Sequence, residues 1–175
     1  MNITGGKFNG RKISTVKSNN VRPTSSKIRG SIFNMLNSLG INLSEVLFLD
    51  LFAGSGIMGL EALSRGTKKA VFIEKNPATF KILKQNLIKF DADYEIFNTD
   101  ALKFLDKTEQ KFDIVFIDPP YFEDFYDKII EKISKILNKN GLFIIETPIE
   151  YILPTGFEIL KHKTYGTTQI FIIKL

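Results

Sequence analysis

Cysteine is absent from this chain of 175 residues, and histidine occurs only once, at His162. Without cysteine the protein has no disulfide, no thiolate metal ligand and no cysteine nucleophile. No apolar run approaches the roughly 20 residues of a membrane-spanning helix, and the first residues lack the apolar segment of a signal peptide. No group of His, Asp and Glu has metal-ligand spacing. We therefore expect a cytoplasmic protein without a bound metal.

Acidic residues are missing from positions 1–44, which carry seven lysines and arginines, whereas positions 45–175 carry 17 basic and 19 acidic residues. Positive charge concentrated in one segment is typical of an arm that binds nucleic-acid phosphates. The length fits one compact unit, which we divide into a basic extension at 1–40 and a core at 41–175. The candidate RNA-contacting residues are Lys7, Arg11, Lys12, Arg22, Lys27 and Arg29.

Short apolar runs alternate with segments of helical periodicity from about residue 46 onward. Runs without polar alternation are typical of parallel strands that are buried on both faces. The predicted strands lie at 46–51, 70–74, 94–98, 114–118, 142–146, 157–163 and 169–174. The predicted core helices lie at 56–65, 77–90 and 125–137, with Gly141 as the last helix exit. A turn at 165–168 joins the last two strands, which predicts an α/β, doubly wound, seven-stranded, mostly parallel sheet with one antiparallel strand.

The basic extension carries structural signals of its own. Segments 2–4 and 12–16 can pair as a hairpin around glycine-containing turns. Thr24 is placed to cap a following helix, which carries Ile28, Ile32 and Leu36 on one side. The sequence therefore predicts an N-terminal hairpin and a helix ahead of the core.

A glycine-rich loop follows the first core strand and opens the next helix. Gly54, Gly56 and Gly59 match the spacing GxGxxG, which serves dinucleotides and S-adenosylmethionine alike, because glycine permits a tight turn close to a ligand. Asp50, just before the loop, favours the cationic S-adenosylmethionine over the pyrophosphate of NAD. The predicted cofactor-binding residues are Asp50, Phe52, Ala53, Gly54, Ser55, Gly56, Gly59, Glu74, Lys75, Asp100, Ala101 and Asp118.

The tetrapeptide Asp118-Pro119-Pro120-Tyr121 ends the fourth predicted strand. Proline fixes φ and has no N–H, so this segment presents a carboxylate, stiffly held carbonyl acceptors and an aromatic face. Such a set can hold the exocyclic amine of a flat base and stack on the base. We interpret all four residues as the catalytic motif of an amine methyltransferase. The missing cysteine excludes the thiol-adduct route by which pyrimidine carbons are methylated.

With these motifs the whole chain resembles the RsmD family, whose members methylate guanine N2 in bacterial 16S rRNA. The resemblance rests on Arg22-Pro23-Thr24 with Arg29, on the glycine loop, and on the tetrapeptide at 118–121. It implies a Rossmann-like class I methyltransferase fold, S-adenosylmethionine as cofactor and S-adenosylhomocysteine as product. It further implies a monomer that acts on 16S rRNA in an assembled or partly assembled small ribosomal subunit. The chain departs from the family pattern at Ser26, where aspartate is common, and at Gly30, where an acidic residue is usual.

The residues by themselves leave the target base open. The same tetrapeptide suits the N6 amine of adenine in DNA or RNA, although 175 residues leave no room for a separate target-recognition domain. A non-catalytic RNA-binding assembly factor with this fold is a further alternative, but it would not need the complete set of acid, prolines and aromatic ring. The motif predicts the reaction more strongly than the base.

Overall fold

The computed structural model describes residues 1–15, 24–119 and 123–174. Within these ranges the chain forms five α-helices and seven β-strands. The helices are α1 (Ser26–Ser38), α2 (Ile57–Ser64), α3 (Pro77–Leu87), α4 (Ala101–Lys107) and α5 (Glu123–Ile133). The strands are β1 (Leu47–Asp50), β2 (Lys69–Ile73), β3 (Tyr94–Phe97), β4 (Phe112–Ile117), β5 (Leu137–Pro148), β6 (Glu158–Tyr165) and β7 (Thr168–Lys174). Among the helices of these ranges, none is long and apolar enough to cross a membrane.

The strands form a single sheet in the order β3-β2-β1-β4-β5-β7-β6. Strands β1 to β5 pair in parallel, and β7 runs antiparallel to both of its neighbours. The predicted seven-stranded, mostly parallel sheet with one reversed strand is therefore confirmed, and the fold is Rossmann-like. The strand order changes direction between β1 and β4, and ligands of such sheets bind beyond the carboxyl ends of the strands at this point.

Two apolar layers cover the sheet because side chains alternate along each strand. Phe116 belongs to the layer that includes residues of α1, α2 and α3. Ile117, the next residue of β4, belongs to the opposite layer, which includes residues of α4 and α5. By the same alternation, Asp118 continues on the face of Phe116, toward α1 and α2.

Two expectations about the second half of the chain are wrong. The helix predicted at 125–137 ends at Ile133, and Leu137 already pairs with Phe112 as the first residue of β5. Gly141 therefore lies inside a strand and not at a helix exit; a Cβ there would lie 2.9 Å from Leu137 Cδ2 and 3.1 Å from the Phe112 carbonyl oxygen. Sequence reasoning also missed α4, whose 7 residues are too few to display helical periodicity.

Residues 1–15 of the N-terminal extension pack on the same face as α1 and α2. Asn2 and Lys12 form an antiparallel bridge, which confirms the predicted contact between these segments; position 16 lies outside the described residues. The apolar side chains of Ile3, Phe8 and Ile13 are buried in the layer of α1 and α2. The extension thus contributes to the core on which the site is built.

Candidate active site

Four carboxylates lie at the carboxyl ends of neighbouring strands. Asp50 ends β1, Glu74 follows β2, Asp118 follows β4 and Glu146 lies near the end of β5. Because parallel strands end at one edge of a sheet, these side chains share that edge. Sequence reasoning selected the first three as site residues and missed Glu146. Its place at the end of the predicted strand 142–146 carried the same signal.

The loop between β1 and α2 makes a tight turn at two glycines. Gly54 and Gly56 have φ of 54° and 85°, a region that other residues rarely adopt. A Cβ on Gly54 would meet no atom within 4 Å, so the backbone there borders open space that a ligand can enter. Gly59 has a different role, because a Cβ there would lie 2.1 Å from the Phe72 ring. Glycine at this position lets α2 pack on β2.

Glu74 fixes the shape of this loop through its two carboxylate oxygens. Oε2 accepts a hydrogen bond from Gly54 N at 2.9 Å, and Oε1 accepts one from Asn76 N at 2.7 Å. Burial raises the pKa of Glu74 above its ordinary value, although these backbone hydrogen bonds oppose the increase. Ala53 N, in the same loop, donates to Ile73 O at 2.9 Å. The loop is therefore held to the end of β2 through two successive backbone amides, those of Ala53 and Gly54.

Asn86, which is completely buried, connects the loop to the N-terminal extension. Its Nδ2 donates to Ser55 O and to Ser14 O, both at 2.9 Å, while its Oδ1 accepts from Ser14 N at 2.9 Å. Ser55 is consequently held through its backbone as a loop residue. Sequence reasoning gave Asn86 no role, because its partners lie 31 and 72 positions away in the chain.

Asp50 is 1% exposed and accepts a hydrogen bond at Oδ2 from Gly59 N, 3.0 Å away. Burial raises the pKa of Asp50 to about 7, with a further increase from the charge of Glu74 and an opposing effect of the Gly59 hydrogen bond. Near neutral pH this carboxyl is therefore divided between its protonated and ionised forms. A nearby cation favours the ionised form, so Asp50 suits a positively charged ligand and opposes a pyrophosphate.

Asp100 caps α4 through Oδ1, which accepts hydrogen bonds from Leu102 N at 3.0 Å and Lys103 N at 3.3 Å. Its Oδ2 lies 3.0 Å from Nζ of Lys75, a side chain that is 77% exposed. Burial by itself would raise the pKa of Asp100, but the Lys75 hydrogen bond and the cap lower it overall. Asp100 is therefore an ionised acceptor, followed by the buried Ala101.

The Thr24 hydroxyl lies between two of the strand-end carboxylates. Its Oγ1 is 3.2 Å from Asp118 Oδ2 and 3.3 Å from Glu146 Oε2. The predicted role of Thr24 as a helix cap is wrong, because Ser25 caps α1 by accepting a hydrogen bond from Ile28 N at 3.3 Å. A shift of one residue at the helix start turns Thr24 from a cap into a member of the site.

Asp118 is partly buried, and its environment disfavours its charge. Burial raises the pKa of Asp118 well above its ordinary value, and the negative charges of Glu146 and Asp50 raise it further. The Thr24 hydrogen bond opposes this increase. Asp118 is therefore a more basic carboxylate than an exposed aspartate, which is the property required to accept a proton.

Arg29 holds the segment that carries Thr24. Its Nη1 donates to Thr24 O at 2.6 Å, its Nη2 to Asn2 O at 2.8 Å, and its Nε lies 3.0 Å from Glu61 Oε1. The prediction that Arg29 contacts RNA is wrong, because the residue is 2% exposed and all these partners lie within the protein. Glu61 on α2 also accepts from Arg65, so one buried carboxylate joins the extension to the core.

The remaining described candidates for RNA contact lie at the surface. Lys7, Arg11, Lys12 and Lys27 are exposed. The Arg11 guanidinium lies 4.2 Å from the centre of the Phe90 ring, which limits its orientation. Arg22 lies outside the described residues.

Two of the predicted catalytic residues, Pro120 and Tyr121, also lie outside the described residues. Pro119 is described and is buried directly after Asp118. Phe52, in the glycine-rich loop, is partly buried and packs against the layer of α4 and α5. The ranges 1–15, 24–119 and 123–174 contain no group of three His, Asp or Glu residues with the geometry of a metal site.

Comparison with known proteins identifies the family. The family model described as "Conserved hypothetical protein 95" matches residues 1–174. Ribosomal RNA small subunit methyltransferase D of Buchnera aphidicola is 35% identical, covering 97% of this chain and 91% of the relative. The enzyme of the same name from Haemophilus influenzae is 36% identical, covering 94% and 88%.

A solved structure supports the same assignment. A putative methyltransferase from Escherichia coli superposes with a TM-score of 0.88 at 28% identity, over 99% of this chain and 97% of that one. The family match and the two relatives together extend over the whole sheet and the N-terminal extension. The chain therefore belongs to the RsmD family of ribosomal RNA small subunit methyltransferases.

Proposed function

We propose that this protein transfers a methyl group from S-adenosylmethionine to the exocyclic N2 amine of a guanine in 16S rRNA of the small ribosomal subunit. The observation that carries the proposal is the position of Asp118, directly after β4 and two residues beyond Phe116, the residue that pairs with Asp50 at the end of β1. One carboxylate suits the cationic cofactor, and the other suits the amine that accepts the methyl group. The names of the relatives supply small-subunit rRNA as the substrate class.

The residues around the glycine loop fit S-adenosylmethionine. Open space beside Gly54 accommodates a ligand close to the backbone, and Asp50 attracts the cationic amino acid end. Glu74 is suited to accept hydrogen bonds from ribose hydroxyls and Asp100 to accept one from the adenine amine. When bound, the cofactor supplies a methyl group that can leave its positively charged sulfur without the bonding electrons.

Asp118 prepares the amine for this transfer. An exocyclic amine is a poor nucleophile because its lone pair is delocalised into the ring. When Asp118 and the Pro119 carbonyl accept hydrogen bonds from the amine, the nitrogen becomes more tetrahedral. The same hydrogen bonds stabilise the positive charge that develops on nitrogen as the N–C bond forms. The nitrogen then gives up one proton, which the Asp118 carboxylate accepts. The bonding electrons of that N–H remain on nitrogen.

The exposed basic residues of the extension are proposed to contact rRNA phosphates, with the protein acting as a monomer on an assembled or partly assembled subunit. Replacing Lys7 and Lys12 by alanine removes two charges, together with the hydrogen bond from Lys7 Nζ to Asp91 O and its contact with the Phe8 ring. Each lost phosphate contact lowers the slope of log affinity against log salt by about 0.7 to 0.9. Lys139→Ala, an exposed site on β5, is the matched control. An unchanged slope in the double variant would remove both lysines from the interface.

The reaction is tested by incubating the protein and labelled S-adenosylmethionine with small subunits from a strain that lacks this gene. The rRNA is then digested and the modified nucleoside identified. N2-methylguanosine supports the proposal; N6-methyladenosine, or tight binding without incorporation, contradicts it.

Two variants separate the roles of the carboxylates in that assay. Asp118→Asn abolishes transfer but leaves cofactor affinity within about twofold. Glu74→Gln weakens cofactor binding, because an NH2 group replaces one of the two carboxylate oxygens and cannot accept the hydrogen bond from Gly54 N or Asn76 N. An equal loss of cofactor affinity in both variants would refute this division.

A further inference from the structure

Glu146 has a place in the site that the reaction described above does not use. The parallel register pairs Ile117 of β4 with Ile145 of β5. The residues that follow them, Asp118 and Glu146, are therefore neighbours on the same face of the sheet. Glu146 is 5% exposed, so its carboxylate lies at the buried side of the strand-end cluster.

The Thr24 hydroxyl contacts both Asp118 and Glu146, so the two carboxylates lie close together. A single hydroxyl oxygen lies 3.2 Å from Asp118 Oδ2 and 3.3 Å from Glu146 Oε2. The hydroxyl has one proton, so it can donate to only one of the two carboxylates at a time. The two carboxylates present oxygen acceptors side by side, and the negative charge of Glu146 raises the pKa of Asp118.

Adjacent acceptors of this kind match one base edge better than the other. Guanine presents N1–H and the N2 amine next to each other, which are donors only. Adenine presents its N6 amine next to N1, which is an acceptor. The lone pair of N1 would face a lone pair of the carboxylate, and the two would repel each other. A base taken out of its stack is recognised through hydrogen bonds to this edge.

We propose that Glu146 is a specificity-determining residue that accepts the N1–H of the target guanine while Asp118 accepts from its N2 amine. The inference rests on the proposed function and adds to it the means by which guanine is distinguished from adenine. The Thr24 hydroxyl contacts both carboxylates and fixes their relative position. The Thr24 carbonyl in turn accepts a hydrogen bond from Arg29. A site built to accept an N–H discriminates strongly against an analogue that lacks it, because a buried acceptor then loses its partner.

The probe for this contact is 2-aminopurine, which keeps the 2-amino group but carries a lone pair at N1. The position of the target guanosine is first mapped as the nucleotide that the wild-type enzyme methylates. Small subunits are then reconstituted with guanosine or 2-aminopurine ribonucleoside at that position. Wild type is expected to prefer guanosine by about 100-fold or more in kcat/KM. Glu146→Gln lowers kcat/KM for guanosine and raises it for 2-aminopurine, because a carboxamide can donate to N1. In this variant the ratio of kcat/KM for guanosine to that for 2-aminopurine is expected to fall to about tenfold or less.

Controls keep this result specific. Glu150→Gln, at an exposed glutamate four positions along the chain, leaves the preference unchanged. Cofactor affinity within about twofold of wild type shows that Glu146→Gln is folded. If that variant loses the cofactor, Glu146→Asp takes its place. Its carboxylate is one methylene shorter and no longer reaches N1–H, so the preference for guanosine should narrow, and an unchanged preference would overturn the inference.

The outcomes distinguish the two proposals. If wild type forms no N2-methylguanosine, the proposed function fails, and this inference fails with it. If wild type forms N2-methylguanosine but Glu146→Gln keeps the full preference for guanosine, the inference alone is overturned. Equal rates of wild type on guanosine and 2-aminopurine overturn it as well.

Discussion

Arg29 Nε lies 3.0 Å from Glu61 Oε1, and neither side chain is more than 2% exposed. The pair joins α1 to α2, and the same guanidinium holds the Thr24 carbonyl. A buried charge without its partner is costly, so this contact binds the N-terminal extension to the core. The geometry of the strand-end cluster therefore depends on residues that are remote from the reacting atoms.

Arg29→Ala is expected to lower the free energy of unfolding by about 3 kcal/mol, because Glu61 loses its buried cationic partner. Urea denaturation measures the change. Lys27→Ala, an exposed position in the same helix, should change it by no more than about 0.5 kcal/mol. Equal midpoints for the two variants would show that the ion pair does not secure the extension.

Asp50 makes stability and cofactor affinity respond to pH in opposite directions. Its pKa in the folded protein is about 7, above the ordinary 3.8. Below pH 3.8 the carboxyl is protonated in both the folded and the unfolded chain, so it has no differential effect. As pH rises from 3.8 to about 7, the unfolded chain ionises first, and the folded protein loses stability.

Asp50→Asn removes this ionisation and keeps an acceptor for Gly59 N. Without cofactor, the variant is expected to gain stability relative to wild type as pH rises from 4 to 8, on the order of a few kcal/mol. Wild-type cofactor affinity should increase between pH 6 and 7.5, whereas that of the variant stays flat and weak. Thermal melts and calorimetry at several pH values measure both; Asp91→Asn, at an exposed site, is the control. A variant that keeps the wild-type pH response of binding would contradict this role.

Thr24 is expected to set the acidic limb of the activity profile. Its hydrogen bond lowers the pKa of Asp118 against the effects of burial, Glu146 and Asp50. Thr24→Val removes the hydroxyl at nearly constant volume, so the pKa of Asp118 rises and the acidic limb of kcat moves to higher pH. Thr24→Ser keeps the hydroxyl and restores the wild-type profile. If valine and serine gave the same profile, the hydroxyl would have no electrostatic role.

Two glycines of the N-terminal turn offer a test of close packing. Gly6 and Gly10 have similar φ, 77° and 79°, so alanine is strained at both. A Cβ on Gly6 would lie 1.8 Å from Ser64 O, whereas one on Gly10 would meet nothing within 4 Å. Gly10→Ala is expected to cost about 1 kcal/mol, and Gly6→Ala at least about 2 kcal/mol more, because the extension must move off α2. Equal unfolding free energies would contradict this packing.

The parallel strands and the glycine loop were predictable from the sequence because both are local patterns. Apolar runs without alternation mark strands buried on both faces, and a carboxylate directly after such a run marks the ligand edge of the sheet. Asp50, Glu74 and Asp118 were found in this way. The helix at 101–107 was missed because its 7 residues form only about two turns, which is too short for helical periodicity to be recognised.

The roles of Arg29 and Thr24 could not be predicted because their partners are distant in the chain. Arg29 looked like one more cation in a basic segment, yet Glu61 is 32 positions away. Thr24 looked like a helix cap, yet its hydroxyl reaches Asp118 and Glu146, which are 94 and 122 positions away.

The sequence by itself determined the sheet, the glycine-rich loop and the tetrapeptide at 118–121, since each depends on residue types at short, regular spacing. Only the tertiary structure decided which charges face solvent and which are buried in pairs, because burial is a property of the packed chain. It likewise decided that Glu146 stands beside Asp118, through the register of two parallel strands that no local pattern specifies.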